Sequence, residues 1–396
     1  MLTIFCACLA MIAYVYAGYP LLLRLGAFGQ SRSFRRDIVR PSVSVIVPAH
    51  NEESAIEAKL RNLLALDYPR NLVEILIGSD GSSDRTEDLV RAAAHDGVGL
   101  ISFPVQLGKT AMQNGLVAAA SGEILVFTDA DCLLARDSLA LLLENFADPR
   151  VGLVTARPRY LNGLATSITE NESLYLRYET WLRAQESDRG ILAVASGSFF
   201  AMSRSLWYPL DRTLGDDFAF ALRVAQAGVF NRLDARVFVA TRLSQDRPGS
   251  MLRMKIRIIS KDLRALLAHR ALLDPLRHGA LAASLWSHKL MRWLVPYFLL
   301  ALVVANVALF DRPLFRIFLS LQAVFYSLAL AGFSRRTRSL PFPWSVPASF
   351  CLVNLAALLG TLRCLAGRTS GRWTPERSTS PPVREGAVAP APRGFR

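Results

Sequence analysis

Residues Leu2 to Leu23 carry no charged side chain, and a run of that length crosses the hydrocarbon core of a bilayer as a helix. A cleaved signal peptide has a shorter apolar stretch led by a basic residue, and neither condition holds here. Three more apolar stretches, Trp293–Phe310, Ile317–Phe333 and Val346–Leu362, crowd the other end, the last two short and flanked by proline. The expected layout is therefore one span, a soluble island from about Pro41 to Leu285, and three further spans. A hydrophobic share of 52% and a mean hydropathy of +0.28 suit a chain partly dissolved in lipid.

Charge gives the orientation. The net charge is +14, and no helix-turn-helix, zinc-finger or aromatic RNA-binding signature accompanies it, so nucleic acid is not the expected partner. Anionic head groups and phosphorylated substrates account for it better. Arg24, Arg32, Arg35, Arg36 and Arg40 follow the first span, which places the island in the cytoplasm. Strict alternation of the later spans then puts Arg368, Arg372 and Arg377 outside; either one segment is re-entrant or the tail departs from the rule. The cysteines at 6, 8, 132, 351 and 364 have no disulfide or zinc spacing, and a reducing compartment is expected.

Within the island, "VSVIVPA" (43–49), "VEILIGS" (73–79), "VGLISF" (98–103) and "EILVFTD" (123–129) are short β-rich runs separated by segments of helical spacing. This alternation predicts an α/β unit with a parallel sheet covered by helices. Ligands of such sheets lie at the carboxyl ends of the strands, where "PAHNEE", "SDGSSD" and "DAD" all fall.

Asp129 and Asp131 share a face if the strand continues through them. Two carboxylates so close do not both ionise comfortably without a cation, and oxygen ligands favour Mg2+ or Mn2+ over zinc. Taken alone, the pair reads first as a solvated acidic turn, since Asp is common after strands. Ser83 or Asp84 is expected to cap a helix, and Lys109 opens another, where it could meet a phosphate. "LGKTAMQNG" is not a Walker loop, because the upstream glycine is missing. A second acidic pair, Asp216 and Asp217, opens an apolar helix; one acid suits the helix dipole and the other is left to take a proton.

In sequence order, "PAHNEE", "SDGSSDRT", "GKTAMQNG", "TDADC", "SGSFFAMSR" and "GDDFAFALRV" resemble the motifs of family-two glycosyltransferases. The flanking spans are similar to the membrane-bound branch that includes cellulose, hyaluronan and poly-N-acetylglucosamine synthases. The resemblance implies a GT-A fold (Rossmann-like, with a mostly parallel sheet), a nucleotide-diphosphate-sugar donor, usually a UDP-sugar, and inversion at the anomeric carbon. It places Pro48, Ala49, Asn51 and Glu52 at the nucleotide end and Asp80 against the base. Asp129 would face the ribose or sugar, Asp131 would ligate the metal with Asp129 beside it, and Asp217 would be the general base. Ser196, Gly197 and Asp216 fall on the acceptor side. Polysaccharide-assembly proteins are implied companions.

Processive synthases of this branch carry QxxRW after the base, whereas here Met254, Lys255, Ile256, Arg257 and Ile258 occupy the comparable stretch. Only the arginine survives, left to hold the diphosphate. Leu252, Ile256, Ile259, Leu263 and Leu266 form an apolar row beside a basic one of Arg253, Arg257, Lys261 and Arg264, the pattern of a helix lying at an anionic membrane surface.

The expected organisation is a membrane helix over 1–24, a GT-A domain over 41–250, interfacial amphipathic helices over 251–290, about three membrane helices over 291–366 and a disordered tail over 367–396. The expected enzyme sits in an inner membrane and moves one sugar to a lipid-linked or polysaccharide acceptor. Its rivals are a processive polysaccharide synthase and a membrane scaffold with a degenerate transferase domain.

Overall fold

The computed structural model describes residues 1–160, 167–241, 248–334 and 344–369; the tail expected to be disordered lies, from residue 370 onward, outside them. Eight strands form one sheet: β1 (Val43–Ala49), β2 (Val73–Asp80), β3 (Val98–Phe103), β4 (Ile124–Thr128), β5 (Leu133–Leu134), β6 (Val151–Tyr160), β7 (Phe199–Ser203) and β8 (Phe230–Thr241). The strand order is β3-β2-β1-β4-β7-β6-β8-β5. The first four strands are mutually parallel, and the sheet then turns mixed, with β7 antiparallel to both β4 and β6. The four strands read from the sequence are this parallel half.

The apolar runs are continuous because both faces of the sheet are covered. On one face Val43, Val45, Val47 and Ile77 pack with Ile56, Leu60 and Leu63 of α2 (Ile56–Leu64). On the other, Ile46, Leu76 and Phe127 meet Met112 and Leu116 of α4 (Lys109–Ala119), and Phe127 stacks on Phe200 at 4.8 Å. Between them in the chain lies α3 (Thr86–Ala92), and α5 (Ser138–Leu143) also lies on the first face.

After the sheet's first half come α6 (Ser167–Asp188), α7 (Asp216–Gln226) and α8 (Pro248–Ala268). Among the described residues four helices are long and apolar enough to cross a membrane: α1 (Leu2–Arg24), α9 (Pro275–Ala308), α10 (Pro313–Ser334) and α11 (Ser345–Leu365). Helix α9 starts well before the apolar run read from the sequence and breaks at Gly279, whose φ of +47° suits glycine. Phe5 and Cys8 of α1 pack against Leu302, Ala305 and Phe315, so the first span is bundled with the last ones.

The charged helix α8 is divided where the sequence suggested a free surface. Leu263 and Leu266 sit in the main core, and Gly360 of α11 backs directly onto Ile259. Of the basic row, Arg253 is exposed, but Arg257 and Lys261 line an internal cleft. The apolar row is covered by protein, because α11 folds back over it.

Candidate active site

The carboxyl ends of β1, β2 and β4 converge on three loops. Strand β4 ends at Thr128, so a turn rather than strand alternation carries Asp129 and Asp131. Even so, their carboxylates and the Cys132 thiol lie within 4.8 Å of one another. Beneath the turn lies Lys59, completely buried, donating to Thr128 Oγ1 and to the Cys132 carbonyl at 2.8 Å each. Burial pulls its pKa down to about 8, against the pull of the carboxylates above. The sequence reading missed Lys59; the signal is a lone lysine on the apolar face of α2.

Asp80 does not present a free carboxylate. It is fully buried, and its oxygens accept the backbone N–H groups of Leu107 and Gly108 at 2.7 and 2.9 Å. Gly108, at φ +97°, turns the chain into α4, so Asp80 anchors the loop that delivers Lys109. The ammonium of Lys109 reaches Asp129 at 2.9 Å and Asp216 at 3.3 Å. Burial opposes its charge, but the two carboxylates prevail and raise its pKa. Expected to meet a phosphate, Lys109 here bridges the two acidic pairs.

Asp216 and Asp217 open α7 in different settings. Burial works against the charge of Asp216, yet Lys109 and a 2.9 Å hydrogen bond from Gln113 hold its pKa low. Burial and the adjacent Asp216 charge push Asp217 up. Neighbouring acids driven apart in this way divide the roles of fixed charge and proton acceptor. Asp131 is exposed to the same space; the protein around it and the charge of Asp129 push its pKa up.

A cleft of about 520 Å³ brings together Lys109, Asp129, Asp131, Ser196, Gly197, Asp216, Asp217 and Arg257. Pro48, Ala49, Asn51, Glu52 and Asp80 are not in its lining. Pro48 and Ala49 are buried in β1. Asn51, at φ +56°, accepts the Ser83 N–H at 2.7 Å, and the Glu52 N–H donates to Thr86 Oγ1 at 2.8 Å. These residues join the first two loops rather than facing the acids. Neither Ser83 nor Asp84 is the cap of α3, whose N-cap position is Arg85; Asp84 accepts the Thr86 N–H at 3.0 Å as a local turn before the helix.

Residues 44–208 match the family model described as glycosyl transferase family 2. Over this stretch, less than half of the chain, the sequence is similar to family-two glycosyltransferases. The chain is 29% identical over 246 residues to the probable glycosyltransferase YdaM of Bacillus subtilis, covering 57% of this chain and 58% of that protein. It is also 28% identical over 177 residues to the β-monoglucosyldiacylglycerol synthase of Trichormus variabilis, covering 43% of this chain and 38% of the synthase. The chain thus spans 58% or less of the length of these relatives. The solved mannosyltransferase PcManGT from Pyrobaculum calidifontis, in complex with GDP-Man and Mn2+, superposes with a TM-score of 0.71 at 23% identity. That match covers 92% of this chain and 99% of the mannosyltransferase, and it bears out the GT-A fold.

The donor set at the acidic turn fits a hard divalent cation. Asp129 and Asp131 offer carboxylate oxygens, whereas Cys132 is buried and donates its thiol to Asp131 at 3.5 Å, which leaves it a poor ligand.

One part of the cleft wall was not legible in the sequence. Asp262 and Lys261 of α8, Glu179 and Arg183 of α6, and His288, Lys289 and Arg292 of α9 all line it. Burial and then Asp217 push the Asp262 carboxyl up to about 7. Glu179 receives Arg183 at 3.0 Å, His288 at 3.0 Å and Arg292 at 2.6 Å. Burial works against its charge, but these groups hold its pKa well below the usual carboxylate range.

Proposed function

We propose that this transferase is an integral-membrane, inverting enzyme. It moves one sugar from a nucleotide-diphosphate donor, a UDP-sugar, to a lipid-linked or polysaccharide acceptor at the cytoplasmic face of an inner membrane. The supporting observation is that Asp131 and Asp217 open onto one cleft whose wall also includes Tyr16, Val353 and Ala357 of the apolar helices α1 and α11. A lipid acceptor reaching the base from the bilayer fits that wall, and the glycolipid product named for the Trichormus relative agrees with it.

On this reading Asp217, with its raised pKa, takes the proton of the acceptor hydroxyl as that oxygen attacks the anomeric carbon. Asp216 stays ionised and keeps Lys109 in place. Lys109 and Arg257 supply positive charge to the diphosphate. A divalent cation held by Asp131 and Asp129, magnesium or manganese, would offset the charge of the departing diphosphate. With base and leaving group on opposite sides of the sugar, displacement in line inverts the centre.

The experiment is a panel of radiolabelled nucleotide sugars given to membranes carrying the protein, followed by lipid extraction. A single labelled sugar per product molecule supports this reading; long chains would mean a processive synthase, and no transfer from any donor would overturn it.

A further inference from the structure

Lys289 projects from α9 into the cleft, with its ammonium 5.0 Å above the ring of Phe218, the residue after Asp217. Among the described residues it makes no hydrogen bond and no ion pair. The carboxylates near it are engaged elsewhere. Glu179 is held by Arg183, His288 and Arg292. Glu186 accepts from Tyr19 at 2.7 Å and from Ser284 at 3.0 Å, and it meets His288 at 2.7 Å. Asp262 is not ion-paired to Lys289, and with its carboxyl pushed up to about 7 it is a partial counter-charge at neutral pH.

Lys289 is half-buried and has no ion-pair partner among the described residues, so a ligand that brings a negative charge gains a charge-assisted contact there. Arg183 and Arg292 line the same cleft but are paired with Glu179, which leaves Lys289 as the cation that an entering anion meets outside that cluster. On the other side, Tyr16 of α1 and Val353 and Ala357 of α11 come from helices of membrane-spanning length. Positive charge and apolar helices of membrane-spanning length thus line one cleft with the candidate base.

We infer that this end of the cleft binds the phosphate of a membrane lipid, with Lys289 as its principal contact, and that the acceptor of the reaction is an anionic lipid rather than a neutral one. The inference rests on the membrane-acceptor reading above and narrows it to a substrate class. Arg183 and Arg292 flank the phosphate, and the acyl or prenyl tail leaves along α1 and α11.

The test measures binding without a sugar donor, so that its outcome is separable from that of the donor panel. The full-length protein in neutral detergent is titrated with phosphatidic acid and with diacylglycerol of the same chains. Binding of phosphatidic acid is expected to be about tenfold or more tighter, as for a charge-assisted contact. Lys289→Gln should remove that preference, Lys289→Arg should retain most of it, and UDP affinity should be the same in both variants, which shows that the fold is intact. Equal binding of the two lipids by wild type would overturn the inference, as would a preference that survives in Lys289→Gln. Inorganic phosphate is the control for a free-phosphate site: protection by phosphate alone, at concentrations that match phosphatidic acid, would also overturn it.

Discussion

Gly197 and Asp217 face each other so closely that a methyl group on the glycine would stand 3.3 Å from Oδ2 of the aspartate, and 3.8 Å from Nζ of Lys109. A larger side chain there has to displace the candidate base. Gly197→Val is therefore expected to lower transfer by on the order of ten- to a hundredfold, the cost of misplacing a catalytic group by about an ångström. UDP binding should be retained. Steady-state transfer alongside UDP titration checks both.

Removing the base without changing its shape is the sharper test. Asp217→Asn is expected to reduce turnover by at least about a hundredfold and to leave nucleotide binding largely intact. Wild-type turnover in this variant would exclude Asp217 from the chemistry.

Asp131→Ala should weaken manganese and UDP affinity together, since one carboxylate would serve both through the cation. Calorimetric titration of UDP with and without manganese, in wild type and variant, reads this directly. UDP affinity that ignores the metal in the wild type would contradict it.

The pH dependence follows from the two acids of α7. Asp217 accepts a proton only when ionised, so the rate falls as pH drops through its raised pKa. The charge of Asp216 is part of what raises that pKa. In Asp216→Asn the pKa of Asp217 should fall and the acid limb of kcat/KM should move to lower pH. A limb that stays or moves upward would show that another group titrates.

Lys59 links protonation to stability. Its pKa lies near 8 in the folded chain and near the ordinary lysine value of 10.5 in the unfolded one. Between those values the unfolded chain binds more protons, so this residue's contribution to stability rises with pH across the window and is level below it. Lys59→Met should flatten the rise, as read by thermal unfolding in detergent from pH 8 to 10.5.

The parallel half of the sheet was legible because each of its strands is an unbroken apolar run ending in a polar turn, and burial on two faces requires such a run. The acids of the cleft could be read for a related reason. Asp129 and Asp131 follow directly on β4, and Asp216 and Asp217 open α7. What the sequence hid was partnership at long range. Nothing local marks Glu179 as the partner of His288, 109 residues away, and the basic row of α8 looks like a membrane-facing stripe until α11 covers its neighbour. Asp80 shows the limit of reading roles residue by residue: a buried carboxylate that ties down two backbone N–H groups looks, in the sequence, like one waiting for a ligand.

The clasp on the first helix bears on the order of events during synthesis. Tyr19 is held by Glu186, 167 residues later, and Tyr14 by Ser287, 273 residues later. When the leading helix leaves the ribosome, these partners have yet to be made. The His288, Lys289 and Arg292 wall of the cleft emerges after both acidic pairs, so a nascent chain already holding its acidic turn still lacks that wall. A protein truncated before residue 288 would lack this wall and also the Trp293 and Cys364 side chains that complete the main core.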